Sequence, residues 1–173
     1  MPVTYSLVNP QVLGSMKTTI KTDNSLKAAR TFYKSLSEHF NNTIPQFNFT
    51  IQKGTSGKGK YYHFKVSENK KGDEIDFTLE QSNIDDKETI ERFETKLSQF
   101  KGKCSQAGGG SKPDDTDTMF DNDDGLKTLY SIFPTVYDYP IGYFWYDPHV
   151  YNLDFYYIPT FYNYITPFIQ ISM

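Results

Sequence analysis

Phe47-Asn48-Phe49-Thr50-Ile51-Gln52, Tyr61-Tyr62-His63-Phe64-Lys65-Val66 and Ile75-Asp76-Phe77-Thr78-Leu79-Glu80 share one rhythm. Phe47, Phe49 and Ile51 alternate with Asn48, Thr50 and Gln52. Tyr62, Phe64 and Val66 alternate with Tyr61, His63 and Lys65, and Ile75, Phe77 and Leu79 with Asp76, Thr78 and Glu80. A period of two is that of a strand with one buried face. The joining segments GTSGKG and ENKKGD carry glycine and are short enough for hairpins. The stretch predicts an antiparallel meander.

Outward from the meander, the flanks read as helices. Leu26, Ala29, Tyr33, Leu36 and Phe40 recur at helical spacing behind the candidate N-caps Thr22, Asp23, Asn24 and Ser25. Asn41, Asn42 and Pro45 end that pattern. Ile90, Phe93, Leu97 and Phe100 form a second stripe, opened by a capping box of Asp85 with Glu88. Met16, Thr18 and Ile20 alternate with lysines and Thr19 as a short strand before the first helix. Val3-Tyr5-Leu7 reads either as a further strand or as an extended arm. Residues 1–101 are thus predicted to be an α+β domain, β-α-β-β-β-α, with an antiparallel three- to four-stranded sheet and two helices on its one apolar face.

Residues 102–125 read as a linker. GKCSQAGGGSKP is Gly- and Ser-rich, and DDTDTMFDNDDG carries six aspartates that repel one another. Residues 126–173 differ again. Sixteen of the 39 residues from Tyr130 to Phe168 are Tyr, Phe or Trp, and no Lys or Arg follows Lys127. Prolines at 134, 140, 148, 159 and 167 bar long helices and central strands. The segment is expected to be extended and to bury its rings on its own domain, on another copy or on another protein.

Composition narrows the function classes. A formal charge of -3 gives no whole-molecule attraction to nucleic acid. The single cysteine, Cys104, has no partner for an intramolecular disulfide or a Cys-based metal site. MPVTYSLVNPQ lacks the basic-then-apolar pattern of a signal peptide, so the sequons at Asn41 and Asn48 are not expected to be glycosylated. A reducing cytosolic compartment is expected. No run approaches the roughly 18 apolar residues of a membrane helix.

Candidate chemistry is sparse. His39, His63 and His149 share no metal-ligand spacing, and His63 is read on the outer face of its strand. The aspartates at 114–124 fail the calcium-loop frame, because counting back from Gly125 puts Phe120 at the first ligand position. GTSGKGK lies between strands, whereas a phosphate loop must open a helix. No nucleophile can be placed beside a base, so no catalytic residue, metal or cofactor is predicted. Two surfaces remain. One is the aromatic set Tyr139, Tyr143, Phe144, Trp145, Tyr146, Tyr151, Phe155, Tyr156, Tyr157, Phe161 and Tyr162, of residue types favoured at protein interfaces. The other is the basic hairpin Lys53, Lys58, Lys60, Lys65, Lys70 and Lys71, facing one acid, Glu68.

The order α-β-β-β-α resembles that of a double-stranded RNA-binding domain, which implies phosphate contacts from lysines at the start of the second helix. Here that start is Ile84-Asp85-Asp86-Lys87-Glu88, whose acids oppose phosphate. The tail Tyr139-Pro140-Ile141-Gly142-Tyr143-Phe144-Trp145-Tyr146-Asp147-Pro148 and Tyr156-Tyr157-Ile158-Pro159-Thr160-Phe161, with SLKAARTFYKSLSEHF and FNFTIQ in front, resembles small proteins of nucleocytoplasmic large DNA viruses. The resemblance spans about residues 16–101 and 136–170. It implies a viral product in the virion or host cytoplasm, with capsid or virion subunits as partners. The expected function is therefore that of a non-enzymatic structural protein such as a minor capsid component. The alternative is a nucleic-acid-binding or regulatory module using the Lys-rich hairpin.

Overall fold

The computed structural model describes residues 1–55, 59–71, 74–107, 139–161 and 167–172. Its first sheet contains β1 (Val3–Asn9), β3 (Thr19–Thr22), β4 (Gln46–Lys53), β5 (Tyr61–Lys71) and β6 (Glu74–Ser82). The spatial order is β3-β1-β4-β5-β6, with every neighbouring pair antiparallel. The meander forms as its alternation predicts, with Phe49 opposite Phe64 and Val66 opposite Leu79. Val3-Tyr5-Leu7 belongs to a strand, and that strand is interior.

Helix α1 (Ser25–Ser37) lies on the face carrying Phe47, Phe49, Ile51, Phe64 and Val66. Asn24 is the cap chosen from the four candidates, its side chain accepting from Lys27 N–H at 2.8 Å. The buried stripe is Ala28, Ala29, Phe32, Tyr33 and Leu36, while Leu26 is exposed. Phe40 falls beyond the helix, in an isolated bridge to Phe161. Helix α2 (Lys87–Ala107) begins one residue later than the Asp85 box implies, because Asp86 accepts from Glu88 N–H at 3.2 Å and from the Thr89 hydroxyl. It continues past Lys101 through Ala107, into the first residues of the expected linker. Residues 108–138, including the aspartate run, lie outside the described residues.

The class is α+β, as expected, but the two helices flank the first sheet instead of sharing a face. Phe93 of α2 meets Tyr61 at 5.8 Å between ring centroids, and Tyr61 alternates with Tyr62 and Phe64 on β5. The face expected to meet solvent is therefore covered. Asn48, Thr50, Gln52 and His63 are all buried on it.

What closes the second face is a second sheet, β2 (Gln11–Leu13), β7 (Tyr143–Tyr146) and β8 (Phe168–Ile171), ordered β2-β7-β8. A cis Asn9–Pro10 peptide separates β1 from β2. Strand β7 pairs antiparallel with β2 and parallel with β8, so the aromatic tail is built into the domain. Its side chains alternate between two cores. Phe144 and Tyr146 join the cluster around α1, and Tyr143 and Trp145 join the cluster with Phe93, Leu97 and Phe100 of α2. All four are buried. Gly14 permits the close approach of residues 139–140: at its φ of 154° a Cβ would sit 2.5 Å from the Pro140 carbonyl oxygen. Ser15 and Met16 N–H donate to the carbonyls of Tyr139 and Pro140 at 2.8 and 3.0 Å.

Candidate functional site

Of the eleven aromatic residues singled out in the sequence, five are interior. Tyr143, Phe144, Trp145, Tyr146 and Phe161 are buried in the chain's own cores. Trp145 stacks on Phe100 at 5.4 Å and Tyr146 on Phe47 at 5.5 Å. Tyr151 is half-buried and Tyr139 lies at the entry to β7, half-buried. The five buried rings have no surface left for a partner. Tyr162 lies outside the described residues.

The exception is one run, Phe155, Tyr156, Tyr157 and Ile158, exposed at 70, 36, 38 and 46%. Its C-terminal end is fastened to the chain after α1. Asn41 N–H donates to the Thr160 carbonyl at 2.8 Å, Thr160 N–H donates to Asn42 Oδ1 at 2.9 Å, and Asn42 Nδ2 donates to the Ile158 carbonyl at 3.2 Å. Phe161 anchors the run below by packing on Phe40 at 5.5 Å and Phe144 at 5.6 Å. Tyr156 leans inward toward Tyr146, whereas Phe155 and Tyr157 meet edge to face at 6.0 Å on the outside. Asn41 and Asn42 read in sequence only as helix terminators. Here they are the clamps of an apolar strip, and nothing in their spacing signals it.

Among the described residues of the basic hairpin, Lys53 and Lys65 do not converge. Lys53 continues the Phe47-Phe49-Ile51 alternation toward the α1 side, while Lys65 pairs with Asn48 and Glu80 on the other. Lys60 reaches over the Tyr62 ring at 5.6 Å. Lys58 lies outside the described residues, and Lys70 and Lys71 are described as β5 backbone only.

Between α2, the second sheet and β4 lies a buried polar chain. A β-bulge in β1 shifts the register so that Leu7 faces Ile51 but Asn9 faces Thr50. Asn9 Nδ2 donates to the Asp147 carbonyl at 2.8 Å and to the Tyr151 hydroxyl at 2.9 Å, and its Oδ1 accepts from Asp147 N–H at 3.0 Å. Tyr151 and Thr50 hydroxyls meet at 2.8 Å, and Thr50 meets His63 Nδ1 at 2.8 Å. The Asp147 carboxylate lies 3.8 Å from Lys96 Nζ of α2. His63 is thus no outer-face residue. It is 5% exposed, and burial pulls its pKa down to about 4. His39 and His149 stand apart from it, His149 exposed.

Two consequences are measurable. Asn9→Ala strands the Asp147 peptide group and one Tyr151 contact inside the protein. It is expected to cost about 2 kcal/mol in urea denaturation. The second concerns pH. Unfolded His63 takes a proton near its ordinary 6.5, while the folded ring stays neutral down to about 4. The unfolded state therefore binds more protons between those values. Stability should fall by about 3 kcal/mol as pH drops through that window, and this contribution should be constant above it. His63→Gln should flatten that limb of the pH profile; an unchanged slope would assign it to other groups.

No family model matches the chain, and no solved structure matches it. The chain is similar to an uncharacterised protein of Acanthamoeba polyphaga mimivirus, 33% identical over 116 residues, which is 66% of this chain. The matched region spans 62% of that protein's length. This homologue is consistent with the resemblance to proteins of nucleocytoplasmic large DNA viruses.

Proposed function

We propose that the protein is a non-enzymatic structural component of a large DNA virus, a minor capsid protein or other virion component, which holds a neighbouring protein subunit through Phe155, Tyr157 and Ile158. The observation that carries this reading is the exposed strip on a fastened backbone. An exposed apolar run whose C-terminal end, from Ile158 to Phe161, is fastened by five hydrogen bonds to Asn41 and Asn42 is partly preorganised for a partner. Exposed aromatics that are already ordered lose little entropy on binding and serve as anchors. The viral homologue supports the setting, and the divergence of Lys53 and Lys65 disfavours a phosphate-binding face.

Phe155→Ser with Tyr157→Ser tests the proposal. Both side chains lie outside the core, so the melting temperature should move by no more than about 2 °C. Loss of two anchors worth about 2 kcal/mol in all corresponds to roughly 30-fold weaker partner binding. It should appear as loss of the folded variant from purified particles. Wild-type incorporation of a folded double variant would sink the reading.

A further inference from the structure

The first sheet ends on β3 at one side and on β6 at the other, and among the described residues neither edge carries a further strand. An open edge presents unpaired N–H and carbonyl groups, a template for another strand. Because every neighbouring pair in the order β3-β1-β4-β5-β6 is antiparallel, β3 and β6 run in the same direction. We propose that the β6 edge of one copy of this chain takes the β3 edge of the next as a parallel neighbour, so that copies join head to tail through one continuous sheet.

Charge complementarity carries the proposal. Lys17, Thr19 and Lys21 are exposed, while Met16 and Ile20, which alternate with them, pack against the core under α1. Asp76, Thr78 and Glu80 of β6 are likewise exposed, while Phe77 and Leu79 pack against that same core. Both edges thus turn their apolar side to the α1 face and their charges to the other face. A continuous sheet keeps those faces aligned. Lys17 of one copy then lies beside Asp76 of the next, Thr19 beside Thr78 and Lys21 beside Glu80. Opposite charges on adjacent strands attract. Glu80 stands between Lys21 of the neighbouring copy and Lys65, its cross-strand neighbour in its own chain. On the α1 face Ile20 lies beside Leu79.

The backbone accepts this register. Thr18 lies opposite Leu7 and its carbonyl accepts from Leu7 N–H at 2.9 Å, so the groups of Thr18 and Ile20 point to β1 and those of Thr19 and Lys21 to the open edge. On the other side of the sheet, Lys53 N–H donates to the Lys60 carbonyl at 2.9 Å. Alternate residues Tyr62 and Phe64 therefore point to β4, and His63 and Lys65 to β6. Lys65 faces Glu80, which leaves the free groups of β6 on Phe77 and Leu79. In a parallel ladder a residue bonds to the two that flank its neighbour, so Thr19 beside Thr78 meets Phe77 and Leu79.

The other pairings are worse. Two β6 edges in full overlap, centred on Thr78, set Asp76 against Glu80. Two β3 edges centred on Thr19 set Lys17 against Lys21. Like charges in such positions repel. Turning one copy over, to make the β3–β6 pair antiparallel, sets the lysines beside Phe77 and Leu79. Each edge rejects its own kind and accepts the other. The contact is head to tail and leaves a free edge at both ends of the row.

Sedimentation of the full chain at low salt tests this. The weight-average mass should rise with concentration and pass that of a dimer without a plateau. Lys17→Glu with Lys21→Glu, and separately Asp76→Lys with Glu80→Lys, should each weaken association about tenfold. All four side chains are exposed, so both variants should fold. Mixing the two variants should restore growth, because each carries two like edges that match only the other. Phe155→Ser with Tyr157→Ser should leave the growth unchanged, which separates this contact from the exposed aromatic strip. A wild-type chain that stays monomeric to about 1 mM, a plateau at the dimer, wild-type growth in either charge variant alone, or loss of growth in the Phe155/Tyr157 variant would each overturn the proposal. So would a mixture that stays monomeric. The wild-type measurement needs no variant, so a mutant that fails to fold does not block the decision.

Discussion

Removal of residues 139–173 is expected to abolish the native fold of everything before them. The deleted segment contributes Ile141, Tyr143, Phe144, Trp145, Tyr146, Val150 and Phe161 to the two buried clusters. Each large side chain contributes about 1.5–3 kcal/mol by burial. Their sum therefore reaches or exceeds the 5–15 kcal/mol by which a whole domain is stable. The deletion also strips the buried Asn9 and Thr50 of their tail partners Asp147 and Tyr151. Residues 1–138 should lose cooperative urea unfolding and near-ultraviolet ellipticity, and should bind hydrophobic dyes. Adding a 139–173 peptide in trans should restore part of the signal. A truncated chain that unfolds with the wild-type midpoint would refute the integral role of the tail. For the same reason, a tail deletion cannot test partner binding, because it removes the domain along with the strip.

The largest expected effect of a single substitution is at Trp145. It is 3% exposed and stacks between Phe93 at 6.4 Å and Phe100 at 5.4 Å, joining β7 to α2. Trp145→Ala should cost about 3–5 kcal/mol, the transfer energy of the ring together with the cavity it leaves. Chemical denaturation of the purified variant measures it. Phe155→Ala, of similar chemistry but 70% exposed, should change stability by less than about 0.5 kcal/mol. The contrast between two aromatics ten residues apart separates core from surface more sharply than composition can. Equal costs at the two positions would mean that the strip is packed in solution.

Much of the first sheet was legible because Phe47, Phe49, Ile51, Phe64 and Val66 obey the rule that apolar residues on a strand face the core. The other face was not legible, for a physical reason. Asn48, Thr50, Gln52 and His63 alternate as solvent-facing residues do, yet they are buried because they or their neighbours are hydrogen-bonded to one another, to the tail or to backbone. Periodicity records polarity, and a satisfied polar side chain is as compatible with the interior as an apolar one. That misreading put both helices on one side. The aromatic richness of residues 139–161 was equally plain, but its destination rests on contacts with β2, whose three residues carry no recognisable pattern. Of the candidate site, Phe155–Ile158 could be named in sequence but not told apart from Tyr143–Tyr146, since both are runs of consecutive apolar residues. The distinction arises from the pairing of Tyr143–Tyr146 with β2 and β8, and from Asn41 and Asn42, more than a hundred positions upstream, which fasten Ile158 and Thr160.

The pairing of β2 with β7 also bears on how the molecule comes into being. Asn9 and Asp147 are separated by 138 residues yet hold each other by two hydrogen bonds. At a synthesis rate of about 5–20 residues per second, the early strands wait roughly 7–30 seconds on the ribosome before their partner exists. During that interval Val12 has no Phe144 to cover it, and Phe93 and Phe100, once made, have no Tyr143 or Trp145. Closing so long a loop places the tail late in the folding order and makes the nascent chain a natural client for chaperones.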